Sequence, residues 1–276
     1  MLSIIIPTLN EEKYLPLLLE SIKRQELKED KGDEDKSSSP PSSRKRDLVY
    51  EIIVADNNSK DKTRQIAQKY NCRITSGGLP ARGRNTGARV AKGEMLLFLD
   101  ADIVLPPGFL RKSISELGRR NLDIASYSIL PKSGKKIIKK GFDVLYNWPA
   151  SISQNFLPHG AMGILVKKEI FDKIGGFDEK IKIAEDIYFV RRGAKLGKFG
   201  IISSTKIFTS LRRFEKDGYA KTLLKYFGTA LYMLSGKPVK TDMIKYDFGH
   251  YSPSEAKPRE GGKERKSLFD YPKNKI

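Results

Sequence analysis

The chain has 276 residues, of which 39% are hydrophobic, and its formal net charge at pH 7 is +19. This length allows one large domain with an appendage, and no apolar run reaches the roughly 18 residues of a transmembrane helix. The single cysteine, Cys72, excludes an internal disulfide, and the positive charge indicates an anionic partner such as a nucleic acid, an anionic membrane surface or a phosphorylated substrate.

Predicted strands and helices alternate through the first half of the chain. Residues 2–6 are apolar and β-branched, which predicts a buried strand that ends at Pro7. Asn10 is the predicted cap of the first helix and Ser59 the predicted cap of the second. The other predicted elements are a strand at 50–59 that ends in a polar turn, a strand at 72–76, a helix at 81–93, a strand at 94–100, a helix at 106–120 and a strand at 122–130. This alternation predicts an α/β fold with a mostly parallel sheet flanked by helices.

Three segments depart from this pattern. Residues 26–47 hold 7 acidic and 6 basic residues together with five serines, which predicts a solvated, disordered insertion. Residues 214–251 form a predicted helical region, which includes a Tyr-, Phe- and Leu-rich amphipathic helix at 219–236, and residues 252–276 form a predicted flexible tail. We therefore expect a single domain over residues 1–213 with a C-terminal helical extension.

Polar residues follow three of the predicted strands. Asn10, Asp56 and Asp100 each lie just beyond a strand end. In mostly parallel sheets, ligands bind at the carboxyl ends of the strands. Three such placements at one edge therefore indicate a binding site.

Asp100 and Asp102 form a pair of carboxylates two positions apart. Residues i and i+2 of an extended chain face the same way, so both carboxylates can point at one target. Two carboxylates with open remaining positions suit Mg²⁺ or Mn²⁺. The alternative is a loop aspartate plus a helix cap before Pro106, and the spacing alone leaves both interpretations open.

Four segments taken together resemble the family 2 glycosyltransferases with the GT-A fold. They are SIIIPTLNEEKYL, EIIVADNNSKDKT, GLPARGRNTGARVAKGEMLLFLDAD and GGFDEKIKIAEDIYFVRR. The resemblance covers roughly residues 2–213, apart from the insertion. It implies a GT-A (Rossmann-like) fold and an inverting, metal-assisted transfer of a sugar from a UDP- or GDP-sugar to an acceptor hydroxyl or a lipid phosphate such as a polyprenyl phosphate.

The resemblance also implies a donor site. Asp56 would accept hydrogen bonds from the base, and residues 57–59 would form the polar turn and leave its carboxylate free; an Asx-turn is the alternative role of Asp56. The helix start with Arg82, Arg84 and Asn85 would hold phosphate, unless these arginines are simply solvated. Asp102 would be the direct ligand of Mg²⁺ or Mn²⁺, with Asp100 contacting the ribose or the metal. The complete implied nucleotide-sugar set is Pro7, Thr8, Asn10, Glu11, Asp56, Arg82, Arg84, Asn85, Asp100, Ala101 and Asp102.

On the acceptor side, the resemblance implies that Asp186 is the general base and that Glu185 helps to bind the acceptor. For a phosphate acceptor, which needs little deprotonation, Asp186 would act mainly by positioning. The alternative is an ordinary acidic pair at a helix start. Further candidates for contact with the acceptor or the diphosphate are His159, Gly160, Arg191, Arg192 and Arg212, for which a plain basic surface is the alternative.

Other classes of function stay open on the residues alone. A retaining GT-A transferase and a sugar nucleotidyltransferase are the enzyme alternatives; the latter usually has a glycine-rich loop after the first strand, where this chain has PTLNEEKYL. A basic nucleic-acid-binding protein is the other alternative, but the sequence contains no recognised module of that kind.

A membrane surface is the remaining candidate partner. From residue 191 onward, 20 Lys and Arg accompany 8 Asp and Glu, and the basic surroundings of the helix at 219–236 suit anionic lipid. The alternative is that this helix packs on the sheet. We expect a cytoplasmic protein, peripheral on the inner face of the membrane if the helix binds lipid.

Overall fold

The computed structural model describes residues 1–25, 48–132, 140–160, 162–181 and 184–209. The predicted insertion at 26–47, the predicted helical region at 214–251 and the predicted tail at 252–276 lie outside these residues, as does Arg212. The elements are β1 (Leu2–Thr8), α1 (Leu15–Lys23), β2 (Tyr50–Asp56), α2 (Thr63–Lys69), β3 (Arg73–Ser76), α3 (Pro80–Val90), β4 (Met95–Leu99), β5 (Ile103–Val104), α4 (Phe109–Arg119), β6 (Ile124–Pro131), a π-helix (Asp143–Asn147), α5 (Trp148–Ser153), β7 (Gly163–Lys167), α6 (Lys168–Ile174), α7 (Glu185–Gly193) and β8 (Phe199–Thr209).

In the part of the chain that the structure describes, the strands form one sheet in the order β3-β2-β1-β4-β7-β6-β8-β5. The first four strands of this order are parallel to one another. β7 runs antiparallel to both β4 and β6, whereas β8 runs parallel to β6 and antiparallel to β5. The predicted α/β fold with a mostly parallel sheet is confirmed, and its parallel part contains the three strands that precede the polar residues.

Both faces of the central strands are buried. Ile4 and Leu97 face a core that includes residues of α1 and α4, whereas Ile5 and Phe98 face a second core that includes residues of α3, α6 and α7. Because side chains alternate along a strand, a strand covered on both faces is apolar at every position. This explains why the short apolar runs of the sequence predicted the strands.

Helix α3 lies unusually close to β1. A Cβ added at Gly87 would lie 2.4 Å from Ile5 Cγ2, and one added at Gly83 would lie 3.0 Å from Pro7 Cβ. These two glycines, one helical turn apart, therefore set how near α3 comes to the end of β1. The residue that follows Gly83 is Arg84, which this packing directs towards the end of β4.

The predicted end of the first strand and both predicted helix caps are wrong. β1 continues through Pro7, which pairs only with β2 because the pairing with β4 ends at Ile5, so the missing proline N–H breaks no ladder on that side. Helix α1 begins at Leu15, and Asn10 has a φ of 54° and accepts a hydrogen bond from the Lys60 N–H. Helix α2 begins at Thr63, well after Ser59.

Among the described residues, every helix is too short or too polar to span a lipid bilayer.

Candidate active site

The carboxyl ends of β1, β2 and β4 lie side by side. β1 ends at Thr8, which pairs in register with Asp56 at the end of β2, and Thr8 Oγ1 donates a hydrogen bond of 3.2 Å to Asp56 Oδ1. β4, on the other side of β1, is followed directly by Asp100. The expectation that three strands bring polar residues to one edge is thus confirmed.

Asp56 closes the turn that follows its own strand. Its side chain is fully buried. It accepts hydrogen bonds from the Ser59 N–H at 3.1 Å and from Ser59 Oγ at 2.5 Å, and Arg64 lies 3.7 Å away. The expectation that residues 57–59 form this turn and leave Asp56 free is wrong, because the Asp56 carboxylate itself satisfies the N–H three positions later, as in an Asx-type turn.

The loops after β1 and β2 are joined by hydrogen bonds. The N–H of Asn10 donates to Ser59 Oγ at 2.9 Å, and the N–H of Glu11 donates to Thr63 Oγ1 at 2.8 Å. Thr63 is in turn held by Asp61. The sequence interpretation missed the part that Ser59, Asp61 and Thr63 play in shaping this edge, although the Asp-x-Thr spacing is a recognisable turn signal.

Arg84 joins two motifs that are far apart in the chain. Its side chain is 7% exposed, and its guanidinium binds Asp100 Oδ1 at 2.8 Å and Glu185 Oε1 at 2.5 Å. Burial alone would lower the pKa of Arg84, but Glu185 and Asp100 hold the pKa above its usual range. Arg84 is therefore a permanent cation between two carboxylates, and the alternative that it is a solvated surface residue is wrong.

A cluster of phenylalanines packs against the Arg84 guanidinium. The Arg84 guanidinium carbon lies 5.3 Å from the centroid of the Phe177 ring. Phe177 stacks on Phe189 with 4.0 Å between centroids and meets Phe98 edge-on at 5.0 Å. Such aromatic pairs contribute about 0.5–1.5 kcal/mol each beyond the apolar area that they bury. The Arg84 guanidinium thus packs against a cluster of mutually packed phenylalanine rings.

The neighbours of Arg84 have separate roles in the structure. Asn85 is buried and clamps the loop after α6, because its Oδ1 accepts the Phe177 N–H at 2.8 Å and its Nδ2 donates to the Phe177 carbonyl at 2.9 Å. Arg82 is exposed. Of the three residues that the sequence assigned to phosphate, Arg82 is therefore the exposed one, while the side chains of Arg84 and Asn85 are bound to protein groups.

The Asp100-Ala101-Asp102 segment leaves the sheet edge with its aspartates partly exposed and Ala101 in the core. Asp100 is shared with Arg84. Within the described residues, no group of three or more His, Cys, Asp or Glu side chains could hold a metal ion. The two carboxylates fit a Mg²⁺ or Mn²⁺ site that water and ligand phosphates complete, since these ions favour oxygen ligands and retain waters.

Glu185 and Asp186 begin helix α7. Glu185 is buried and paired with Arg84, whereas Asp186 is partly exposed and its Oδ1 accepts the Ile187 N–H at 2.8 Å. Partial burial first, and then the charge of Glu185, raise the pKa of Asp186 to about 7, against the opposing effect of Arg84. A carboxyl group with a pKa near neutrality can both accept and release a proton under physiological conditions.

The segment before β7 borders this helix start. A Cβ at Gly160 would lie 2.7 Å from the backbone oxygen of Asp186, so the backbone packs here without room for a side chain. Burial, and then the charge of Arg191, lower the pKa of His159 to about 4, which keeps the imidazole neutral at pH 7. Arg192 donates to the carbonyl groups of Ile174 and Gly176, so its guanidinium supports the loop after α6.

Known proteins provide an independent comparison. Residues 3–177 match the model of the glycosyl transferase family 2. The chain belongs to this family. It is 30% identical over 203 residues to an uncharacterized glycosyltransferase of Haemophilus influenzae, covering 69% of this chain and 60% of the relative. It is also 26% identical over 148 residues to the poly(ribitol-phosphate) beta-N-acetylglucosaminyltransferase TarS of Staphylococcus aureus, covering 51% of this chain and 23% of TarS.

The third relative is the dolichol-phosphate mannosyltransferase of Pyrococcus furiosus, which is 26% identical over 186 residues, or 63% of this chain and 44% of the relative. The chain thus spans less than two thirds of the length of these relatives.

Solved structures share the fold. The structure of TarS residues 1–349 from S. aureus in complex with UDP has a TM-score of 0.56 at 20% identity and covers 76% of this chain and 60% of that one. The mannosyltransferase PcManGT of Pyrobaculum calidifontis, in complex with GDP-Man and Mn²⁺, has a TM-score of 0.55 at 22% identity and covers 73% and 54%. The GT-A fold expected from the sequence is confirmed, and so is the expected membership of glycosyltransferase family 2.

Proposed function

We propose that this family 2 protein is a glycosyltransferase that transfers a sugar from a UDP- or GDP-sugar, with inversion and with Mg²⁺ or Mn²⁺, to an acceptor hydroxyl or to a lipid phosphate such as a polyprenyl phosphate. One observation supports this most strongly. Arg84 binds Asp100, the first carboxylate of the predicted metal and diphosphate motif, and Glu185, which directly precedes the predicted base. The proposed donor half and the proposed acceptor half of the site would thus share one buried cation.

The donor would lie along the edge formed by β1, β2 and β4. Pro7, Thr8, Asn10 and Glu11 border the loop proposed to hold the nucleoside, and Asp56 is proposed to accept the base. Because the carboxylate of Asp56 is fully buried, a base could reach it only by replacing the hydrogen bond from Ser59 Oγ. The structures of TarS with UDP and of PcManGT with GDP-Man, which share this fold, make uracil and guanine nucleotides the first to test.

The diphosphate would lie between Arg82 and the two aspartates. Arg82 is the exposed arginine at the start of α3, where a helix N-terminus favours an anion. Asp102 is proposed as the direct ligand of Mg²⁺ or Mn²⁺ and Asp100 as the second carboxylate. When bound, the cation would neutralise the charge that develops on the leaving diphosphate. The complex of PcManGT with Mn²⁺ is consistent with this choice.

Asp186 would act on the acceptor. An inverting transfer is a single in-line displacement, in which a base removes the proton of the acceptor hydroxyl as its oxygen attacks the anomeric carbon. A pKa of about 7 matches this task near neutral pH. For a phosphate acceptor, Asp186 would instead orient the attacking oxygen. Glu185, whose carboxylate is bound to Arg84, would fix the position of Asp186 rather than touch the acceptor.

The remaining acceptor-side residues are proposed for the wall beside Asp186. Gly160 packs against its backbone, and the neutral His159 lies near Arg191. We expect Arg191 to attract an anionic acceptor, and Arg212 stays a prediction. A cytoplasmic location on the inner face of the membrane also stays a prediction.

A thermal-shift panel tests the donor proposal. We expect UDP, GDP or a nucleotide sugar of one of them to raise the melting temperature in the presence of Mn²⁺, because a ligand that binds only the folded state stabilises it. Asp102→Asn should abolish the metal-dependent part of this shift. Asp172→Asn, an exposed aspartate on α6, is the matched control. If no uracil or guanine nucleotide stabilises the protein with Mn²⁺ present, the proposed donor site is wrong.

A further inference from the structure

The helical segment before β7 exposes a row of large apolar side chains. Val144, Trp148, Ile152 and Phe156 are 52%, 64%, 60% and 87% exposed, and they recur every four residues, which places them along one side of the segment. We call these four residues the apolar stripe. Single exposed apolar residues are common on protein surfaces, but an aligned series that includes Trp and Phe indicates an interaction surface.

The other side of this segment is attached to the sheet. The side-chain amide of Asn147 bonds both backbone groups of Ile129 in β6, at 2.9 and 2.8 Å. Gln154 Oε1 accepts the Ile201 N–H of β8 at 2.9 Å. Because these hydrogen bonds fix the orientation of the segment, the apolar stripe faces outwards as a fixed surface.

The charges of the chain favour a lipid bilayer as the partner of this surface. Residues 144–158 contain no charged residue, whereas five of the ten residues at 131–140 are lysine. Apolar and tryptophan side chains that are close in sequence to clustered lysines suit an anionic membrane, because the apolar side chains favour the headgroup region and lysines are attracted to lipid phosphates. A protein partner of ordinary composition would not require this combination.

The C-terminal end of the apolar stripe is close in sequence to the proposed acceptor site. Phe156 is only four residues before Gly160, whose Cα packs against the backbone of Asp186. Contact of the apolar stripe with a bilayer would therefore bring Asp186 close to the level of the lipid headgroups. This is where the phosphate of a membrane-anchored acceptor lies.

We propose that the apolar stripe inserts into the surface of an anionic bilayer and so directs the acceptor site at a lipid-linked phosphate. The proposal rests on the proposed function for the identity of the acceptor. The membrane contact itself is a separate property of this surface, different from the amphipathic helix at 219–236 that the sequence suggested.

Tryptophan fluorescence measures this contact directly, since Trp148 in the apolar stripe is the single tryptophan of the chain. The test measures the fluorescence of the full chain with vesicles of phosphatidylcholine alone or mixed with phosphatidylglycerol. We expect a blue shift of the emission with the anionic vesicles, and quenching when the lipids carry bromine near the headgroup end of their acyl chains. High salt should weaken binding, because the lysines contribute through screened charges.

Two variants examine the surface. Ile152→Ser and Phe156→Ser should each weaken vesicle binding about tenfold or more, as expected from the loss of one buried apolar side chain. Both residues are exposed, so the fold should persist. Val49→Ser is the matched control, because Val49 is 62% exposed and precedes β2, at the opposite end of the strand from Asp56. Its vesicle binding should equal that of the unmodified protein.

Several outcomes would overturn the proposal. One is Trp148 emission that does not change when the protein sediments with vesicles, which would assign binding to another segment. Another is Trp148 emission that is already shifted to the blue without lipid, because the apolar stripe would then be covered by protein. Light scattering would show whether a second copy of the chain or the chain's own C-terminal residues cover it. The rise in melting temperature with nucleotide and Mn²⁺ is measured on the same variants. A wrong donor site would then appear in the melting temperature, and a wrong membrane surface would appear in the fluorescence.

Discussion

Arg84 and Glu185 are separated by 101 positions in the sequence, yet the Arg84 guanidinium lies 2.5 Å from Glu185 Oε1. The same guanidinium binds Asp100 at 2.8 Å. This bridge ties the start of α3, the end of β4 and the start of α7 together. The distance between the proposed metal site and the proposed base is therefore fixed by one buried side chain.

Replacement of Arg84 by Met should disable the site and weaken the fold. Removing one partner of a buried ion pair leaves carboxylates without compensation and costs about 3–5 kcal/mol of unfolding free energy. Arg84 also lowers the pKa of Asp186, so its loss should move the acidic limb of kcat/KM to higher pH. Urea denaturation and a pH–rate profile measure these two effects.

Arg89→Met is the control for that substitution. Arg89 lies on the same helix, and its side chain is 67% exposed and 3.7 Å from Glu179. Exposed pairs contribute little to stability. Equal losses for Arg89→Met and Arg84→Met, or an unmoved acidic limb in Arg84→Met, would contradict the role given to the bridge.

Asp186→Asn should separate transfer from donor binding. We expect transfer to a hydroxyl acceptor to fall by about 10²–10⁴, the usual contribution of a general base, while nucleotide binding is retained. In the unmodified protein, transfer should decline as the pH falls through about 7, because Asp186 then becomes protonated. Undiminished transfer to a hydroxyl acceptor by Asp186→Asn would exclude it as the base.

The same substitution should stabilise the protein at pH 8. Folding raises the pKa of Asp186 from its usual 3.8 to about 7. The folded state therefore binds more protons between these pH values, and the stability associated with this group is lost as the pH rises through about 7. Asn removes the cost of the partly buried charge, so the melting temperature of Asp186→Asn should exceed that of the unmodified protein at pH 8 and approach it at pH 4. Calorimetry without metal measures this difference.

Substitutions of Asp56 and Ser59 test whether Asp56 contacts the nucleotide base or only stabilises its turn. Both Asp56→Asn and Ser59→Ala disturb the turn, and we expect each to lower the unfolding free energy by about 1–3 kcal/mol. Asp56→Asn alone should weaken nucleotide binding, because an amide cannot replace both carboxylate oxygens towards a base. Titration calorimetry with UDP and GDP provides the comparison. Equal nucleotide affinities in the two variants would limit Asp56 to a structural role.

Gly160→Ala should impair catalysis more than donor binding. The added Cβ would lie 2.7 Å from the Asp186 carbonyl oxygen and 2.8 Å from its carbonyl carbon, so the start of α7 must shift. We expect kcat to fall while the affinity for the nucleotide stays the same. Gly141→Ala is the control, since a Cβ there meets nothing within 4 Å. Steady-state kinetics that show the same kcat for both variants would argue against this packing role.

The sequence was informative where the physical signal is local. Apolar runs predicted β1 and β4 because both faces of these strands are buried, and the order of the motifs identified the family. The position of Asp100 just beyond β4 followed from the end of its apolar run. These features depend on neighbours within a few residues.

Features that depend on distant partners were missed. Asn10 resembles a helix cap, but its side-chain oxygen accepts the backbone N–H of Lys60, which lies 50 positions away. Asp56 was expected to be free, yet it accepts a hydrogen bond from Thr8, which lies 48 positions away; its turn with Ser59 is local and corresponds to the alternative that the spacing left open. Arg84 and Asn85 resemble phosphate ligands, whereas the structure pairs them with groups from the second half of the chain. Composition and spacing do not specify such pairings.

The Arg84 bridge also makes the site depend on the order in which the chain is made. When the first hundred residues have emerged from the ribosome, only one of the two carboxylate partners of Arg84, Asp100, has been made. The other partner, Glu185, follows more than eighty residues later. A fragment that stops at residue 177, where the family match ends, would contain the whole first half of the bridge and neither Glu185 nor Asp186. We expect such a nascent chain to be catalytically silent, so that no sugar nucleotide is consumed before the acceptor side exists.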